Sequence, residues 1–298
     1  MEWIEKCLNS LVASSCHSKI ICIDNGSSDL TTSIIKKYFP SVHLHEATKN
    51  AGFGQANNIG LRIAIQNKAD YVFLLNQDVW VETDTISELI NVQTQNPAYG
   101  VISPLHLNGT GDKMDAYFLQ YLLESDIKPG IVSENFYTQK KDLLINTQFV
   151  NAAAWLISME CLKKTGGFDP VFFHYGEDRN YLHRTKYWGF KTGIYAGARI
   201  WHDRELRISK KNTNIDTRIK AEWIHFLVHA CDINQTGYLK FSIKRMVRHQ
   251  LLLLKSLLLY NKTAVRYNYS IAKKIIFSLN RIKHSRKIAA SQDLVPHL

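Results

Sequence analysis

Five side chains in this sequence stand where they could do chemistry. Asp24 closes the apolar run Ile20-Ile21-Cys22-Ile23, and Asp78 comes three residues after Leu75 in Leu75-Asn76-Gln77-Asp78. A carboxylate at the end of a strand, beside the crevice of an open sheet, suits a hard divalent cation and the phosphate oxygens it gathers. The other reading of Asp24 is a helix N-cap, and that of Asp78 a plain turn residue. Glu177-Asp178 follows the aromatic run Phe172-Phe173-His174-Tyr175. A carboxylate desolvated in such surroundings has a raised pKa and can act as a general base. The same two acids also suit the first turn of a helix, where the dipole favours them. His202, after Ile200-Trp201, reads either as a metal ligand or as a structural hydrogen-bonding partner.

Several common site motifs are missing. Gly52, Gly54 and Gly60 do not form a dinucleotide fingerprint, because the third glycine falls six residues after the second and the expected acidic residue is lacking. The chain has no G-x-x-x-x-G-K-[ST] phosphate loop, no G-x-S-x-G elbow and no H-E-x-x-H pair.

These residues need elements to position them. Trp3, Cys7, Leu8, Leu11 and Val12 recur at helical spacing over residues 3–15. Short apolar runs at 20–23, 42–45, 71–75 and 100–103 read as strands. Helical patterns fill 30–39, 55–67 and 84–95, the first of them stopped by Pro40. This alternation predicts an α/β sandwich with a mostly parallel sheet. Residues 105–146 are less regular. Beyond them a strand is expected within 149–158, helices over 159–165 and 176–188, and one or two strands over 190–202; from about 216 the pattern is helical.

The chain has 298 residues, 45% apolar and 21% charged, which supports a packed core of one large or two ordinary domains and excludes wholesale disorder. Five cysteines, an odd number without C-x-x-C spacing, argue against a disulfide scaffold and a structural zinc site; a reducing cytoplasmic compartment is the natural reading. Residues 1–12 lack the apolar core of a signal peptide, and no run of 18 apolar residues predicts a spanning helix. Charge is uneven. Residues 1–238 hold 24 basic and 25 acidic side chains, whereas 239–298 hold 13 basic and one acidic, a net of +12. Leu251–Leu254 and Leu257–Tyr260 lie between these cations. The tail reads as an amphipathic helix on an anionic membrane surface, or as a helix packed on the body with a solvated basic face. No nucleic-acid-binding motif accompanies it, so no nucleic-acid partner is expected.

Five segments then stand in a familiar order: Ile23-Asp24-Asn25-Gly26-Ser27-Ser28-Asp29, Asn50-Ala51-Gly52-Phe53-Gly54-Gln55-Ala56-Asn57-Asn58-Ile59-Gly60, Leu74-Leu75-Asn76-Gln77-Asp78, Gly166-Gly167-Phe168-Asp169 leading to Glu177-Asp178, and His202. Together they resemble the family-two inverting glycosyltransferases of GT-A fold, and especially the rhamnosyltransferase-like bacterial branch, over Cys7 to His202. The resemblance implies a Rossmann-like sheet flanked by helices. It divides the chain into a nucleotide-sugar half (about 1–104), an acceptor half (about 105–215) and a basic helical extension (216–298). It implies that Asp24, Asn25, Asn50, Gly52, Asn57 and Asn76 bind the nucleotide-sugar, and that Asp78 and His202 hold Mg²⁺ or Mn²⁺. Asp178 would be the general base supported by Glu177. Residues 105–150 and Trp155 would shape the acceptor side. The D-x-D region keeps one carboxylate, Asp78. The donor expected is dTDP-rhamnose or a UDP-sugar; the acceptor is a glycan or lipid-linked glycan at the inner membrane face, in surface polysaccharide synthesis. The family's first strand is missing ahead of Met1, so either the true start lies upstream or the chain is a non-catalytic membrane-surface partner of such enzymes. A nucleotidyltransferase would need a basic glycine-rich loop near the first strand, which is absent.

Overall fold

Helix α1 (Glu2–Val12) turns Ile4 and Leu8 onto Ile35, Phe39 and Val42, so the first elements close a small core of their own. The computed structural model describes residues 2–123, 143–204, 214–291 and 295–298. Strand β1 (Ile21–Asp24) pairs parallel with β2 (His43–Glu46) across helix α2 (Thr31–Tyr38), with Asp24 opposite Glu46. Helix α3 (Phe53–Gln66) follows and packs on both β1 and β3 (Tyr71–Leu75). Among the described residues no strand joins β1 to β3.

The main sheet is built from β3, β4 (Val79–Val81), β5 (Tyr99–Asn108), β6 (Leu144–Thr147), β7 (Ala154–Ser158) and β8 (Lys191–His202). Its order is β3-β7-β5-β8-β4, with β6 also on β8. β5 and β8 pair parallel, and β3 runs in their direction because β7 pairs antiparallel with both β3 and β5. These frame strands are parallel, as the alternation implies. The short strands β7, β4 and β6 run against them. Around the sheet lie α4 (Thr85–Gln95), α5 (Ala116–Leu123), α6 (Met159–Thr165) and α7 (Glu177–Tyr187).

Two departures from the sequence reading bear on the site. β5 runs to Asn108, and α5 forms within the stretch that looked irregular; residues 124–142 of that stretch lie outside the described residues. Trp155 does not line an acceptor surface. It is fully buried, stacked 6.3 Å from Phe168 and tilted against Tyr181 at 5.7 Å in the main core. An aromatic ring on a strand covered on both faces is core by default.

The remaining chain forms three helices, α8 (Ile215–Ala230), α9 (Tyr238–Leu258) and α10 (Lys262–Ala289). The breaks fall at Gly237 and Tyr260, whose φ angles of 74° and 51° end helical geometry. Phe226, Ile271, Ile275 and Ile282 form their core, and Phe172 enters it from the loop before α7. No helix among the described residues is long and apolar enough to cross a membrane.

Candidate active site

The first turn is held by its own side chains. Asp24 Oδ2 accepts from the backbone N–H groups of Gly26 (3.2 Å) and Ser27 (3.1 Å), so the carboxylate closes the turn after β1. Asn25 bridges to the second block. Its Nδ2 donates to Asn50 Oδ1 (3.1 Å) and its Oδ1 accepts from Ala51 N–H (2.9 Å). Asn50 Oδ1 also accepts from Gly52 N–H (2.9 Å). Asp24, Asn25, Asn50 and Gly52 therefore come together as one bonded loop. Asn57 stands apart from it, its amide donating to Phe53 O within α3 (3.0 Å).

That loop is pressed against the segment carrying the acids. Gly52 has φ 87°, and a Cβ there would collide with the carbonyl oxygen of Phe173. A Cβ on Gly54 would lie 2.8 Å from Phe168 Cβ and 3.8 Å from Glu177 Cβ. Glycine at 52 is thus required by both backbone and space.

Asn58, fully buried on α3, completes the link. Its Oδ1 accepts from Phe168 N–H (2.6 Å) and its Nδ2 donates to Phe168 O (2.8 Å) and to His297 O (3.3 Å). One amide thereby fixes both backbone groups of the residue in the Gly166–Asp169 turn. Residues 296–298 lie beneath this turn, where Gly167 N–H donates to Pro296 O (2.8 Å). Buried Arg184 donates to the carbonyls of Thr165 and Gly167 (2.7 Å to the latter). An asparagine inside a helix carries no local sequence signal of such a distant bond.

Asp78 and His202 meet at the far side. Val79 of β4 is opposite His202 of β8, which brings His202 Nε2 to 3.6 Å from Asp78 Oδ2, both side chains nearly fully buried. His202 Nδ1 is buried without a hydrogen-bond partner. Among the described residues no three His, Cys, Asp or Glu side chains converge on a closed metal site. The pair fits a divalent ion as two of its ligands, the remaining positions falling to oxygen atoms of a ligand or water. Asn76 lies in the same turn, its N–H bonded to Ala153 O (2.9 Å). A polar cleft of about 230 Å³ opens beside it, lined by Trp3, Ser27, Asp29, Thr31 and Gln77.

Glu177 and Asp178 begin α7. Burial pushes Glu177 up to about 7, and its Oε2 has no hydrogen-bond partner. Burial also raises the Asp178 carboxyl, opposed by the Arg179 N–H that Asp178 Oδ1 accepts at 2.7 Å. Between these acids and the Asp78–His202 pair lies a connection that the sequence did not reveal. Arg204 forms a bidentate pair with buried Asp115, with Nε 2.7 Å from Oδ2. Arg204 feels the charge of Asp78, and Tyr121 feels Arg204, Asp178 and Asp115. Tyr121 stands edge-on to Phe149 (5.0 Å), over which Arg179 stacks at 3.8 Å. Burial holds nearby His106 neutral, well below the usual imidazole range. Tyr121 and the Arg204–Asp115 pair thus lie within reach of the charges of both Asp178 and Asp78.

The family model described as glycosyl transferase family 2 matches residues 2–166. No curated protein sequence matches the chain. Among solved structures, the mannosyltransferase PcManGT from Pyrobaculum calidifontis, in complex with GDP-Man and Mn²⁺, is similar with a TM-score of 0.53 at 15% identity, over 97% of this chain and 84% of that one. GalNAc-T7 with UDP, GalNAc and Mn²⁺ is more distant, with a TM-score of 0.49 at 14% identity, over 78% of this chain and 49% of that one. The first likeness identifies the architecture as the GT-A type of α/β fold.

Proposed function

This chain belongs to glycosyl transferase family 2, and on that premise we propose that it moves a sugar from a nucleotide-sugar donor to an acceptor hydroxyl with inversion at the anomeric carbon. The observation that carries the reading is the buried Asp78–His202 contact at 3.6 Å beside the polar cleft of Gln77, with the raised carboxyl of Asp178 at the start of α7. The similar mannosyltransferase holds GDP-Man and Mn²⁺, which supports a nucleotide-sugar and a divalent ion here.

Asp178 takes the proton of the acceptor hydroxyl. The oxygen then bonds to the anomeric carbon on the face opposite the nucleoside diphosphate, which leaves with the electron pair of the broken C–O bond. A divalent ion bound by Asp78 and His202 would supply positive charge to the diphosphate. Glu177 precedes Asp178 in the first turn of α7; neutral at pH 6 and below, it spares Asp178 a neighbouring negative charge. We assign the donor side to the bonded loop of Asp24, Asn25, Asn50 and Gly52, together with Asn57 on α3 and Asn76 in the turn of Asp78. Arg179 and His183 open a cleft of about 490 Å³ toward α8, which suits the acceptor. The donor class we favour is dTDP-rhamnose or a UDP-sugar. The acceptor we favour is a glycan or lipid-linked glycan of a bacterial surface polysaccharide.

Calorimetry with UDP and dTDP, with and without Mn²⁺, tests this. Metal-dependent binding that is lost in Asp78→Ala and His202→Ala is expected. A folded protein that binds neither nucleotide in either condition would overturn the donor class, and one that also fails to bind GDP would overturn transfer from a nucleotide-sugar.

A further inference from the structure

Helix α9 carries more apolar surface than its packing uses. Tyr238, Phe241 and Met246 pack on the helical core, and Ser242, His249 and Ser256 are buried beneath it, His249 Nδ1 lying 2.9 Å from Asn268 Oδ1 of α10. The other side bears Leu239, Ile243, Val247, Leu251, Leu254, Leu257 and Leu258, all exposed. At 3.6 residues per turn these fall within an arc of about 120°. Lys240 and Gln250 are the polar residues inside that arc; Lys244, Arg248 and Lys255 line one rim. The tip between α9 and α10 is apolar as well: Leu258, Leu259 and Tyr260 are 80%, 66% and 92% exposed. A soluble helix normally turns its apolar stripe inward, and monomers seldom expose so large a continuous patch.

We propose that this outer face of α9, with the Leu258–Tyr260 tip, is a docking surface for an anionic lipid bilayer. Charge selects the occupant. Residues 239–298 carry 13 basic side chains and one acidic, so a second copy would bring like charge against like. Nucleic acid would satisfy the cations and leave the leucines in water. A bilayer takes both: leucines sink to the acyl boundary while the rim cations meet lipid headgroups. With no helix among the described residues able to span, the contact lies in the interface plane. The inference is independent of sugar transfer, since vesicle binding and nucleotide binding are measured separately.

Flotation of the full chain with phosphatidylcholine vesicles, alone or with phosphatidylglycerol, tests it. Binding is expected only with the anionic lipid and falls as salt rises. The variant Lys244→Gln/Arg248→Gln/Lys255→Gln loses about fivefold in partitioning per cation, on the order of 100-fold in all. Leu251→Glu/Leu254→Glu abolishes flotation, while helical circular dichroism and nucleotide binding stay as in the parent. Three results would overturn the proposal: a folded parent that does not float with anionic vesicles, variants that float equally well, or a dimer that Leu251→Glu/Leu254→Glu dissociates, which gives the face to a second copy.

Discussion

Replacing Asn58 by alanine removes the clamp on the Gly166–Asp169 turn. The amide now pairs both the N–H (2.6 Å) and the C=O (2.8 Å) of Phe168, deep in the core. Alanine leaves both groups buried without partners. Each such group costs about 1–3 kcal/mol, so the loss is about 4 kcal/mol, within a range of 2–6. Lost contact with His297 O adds little, because that bond is long at 3.3 Å. Urea unfolding of parent and variant at pH 7 measures the difference from the midpoint at unchanged slope. Asn58→Asp sharpens the test. Its ionised carboxylate still accepts from Phe168 N–H but faces the carbonyls of Phe168 and His297, so it destabilises at neutral pH and recovers as acid restores a donor proton. A loss below about 1 kcal/mol for Asn58→Ala would refute the clamp, since no arrangement that strands two buried polar groups is so mild.

Three further outcomes are expected. Glu177 has a folded pKa of about 7 against 4.5 for the exposed group, so its protonated form is favoured on folding; that contribution is whole below pH 4.5 and lost as pH rises to 7. Glu177→Gln therefore gains on the parent through this window, by about 3 kcal/mol at pH 8, read from urea midpoints across pH; parallel curves would contradict it. Asp178→Asn lowers kcat by about 10²–10⁴ while nucleotide affinity stays at the parental value, and equal loss of both would remove Asp178 from the base role. Gly52→Ala costs about 2 kcal/mol or more, from its φ of 87° and the collision with Phe173 O; thermal melting checks this, and an unchanged midpoint would mean the loop retreats freely.

Local chemistry made much of this molecule readable. Continuous apolar runs gave β1, β3 and β5 because a strand covered on both faces needs no alternation. The turn residues after Asp24 and the first-turn acids Glu177 and Asp178 are where cap and dipole rules put them. What escaped was set by distance in space. β4 is three residues long, too short for an alternation to be read, and is fixed by its pairing with β8. Asp115 and Arg204, 89 positions apart, meet only once β5 and β8 are paired. Trp155 was misread because an indole on a strand looks the same in sequence whether it faces a sugar or Phe168.

The bond from Asn58 to His297 spans 239 positions, and that has a consequence for how the protein is made. A nascent polypeptide leaves the ribosome from its N-terminus, and contacts of such sequence separation close late. The residues of the β1 turn and of the main sheet, which ends at His202, are synthesised before residues 296–298, which pack under Gly167. Until then the Gly166–Asp169 turn lacks its floor, and the acids behind it lack a fixed bearing. The contacts between residues 166–168 and residues 296–297 are therefore among the last of the fold to close.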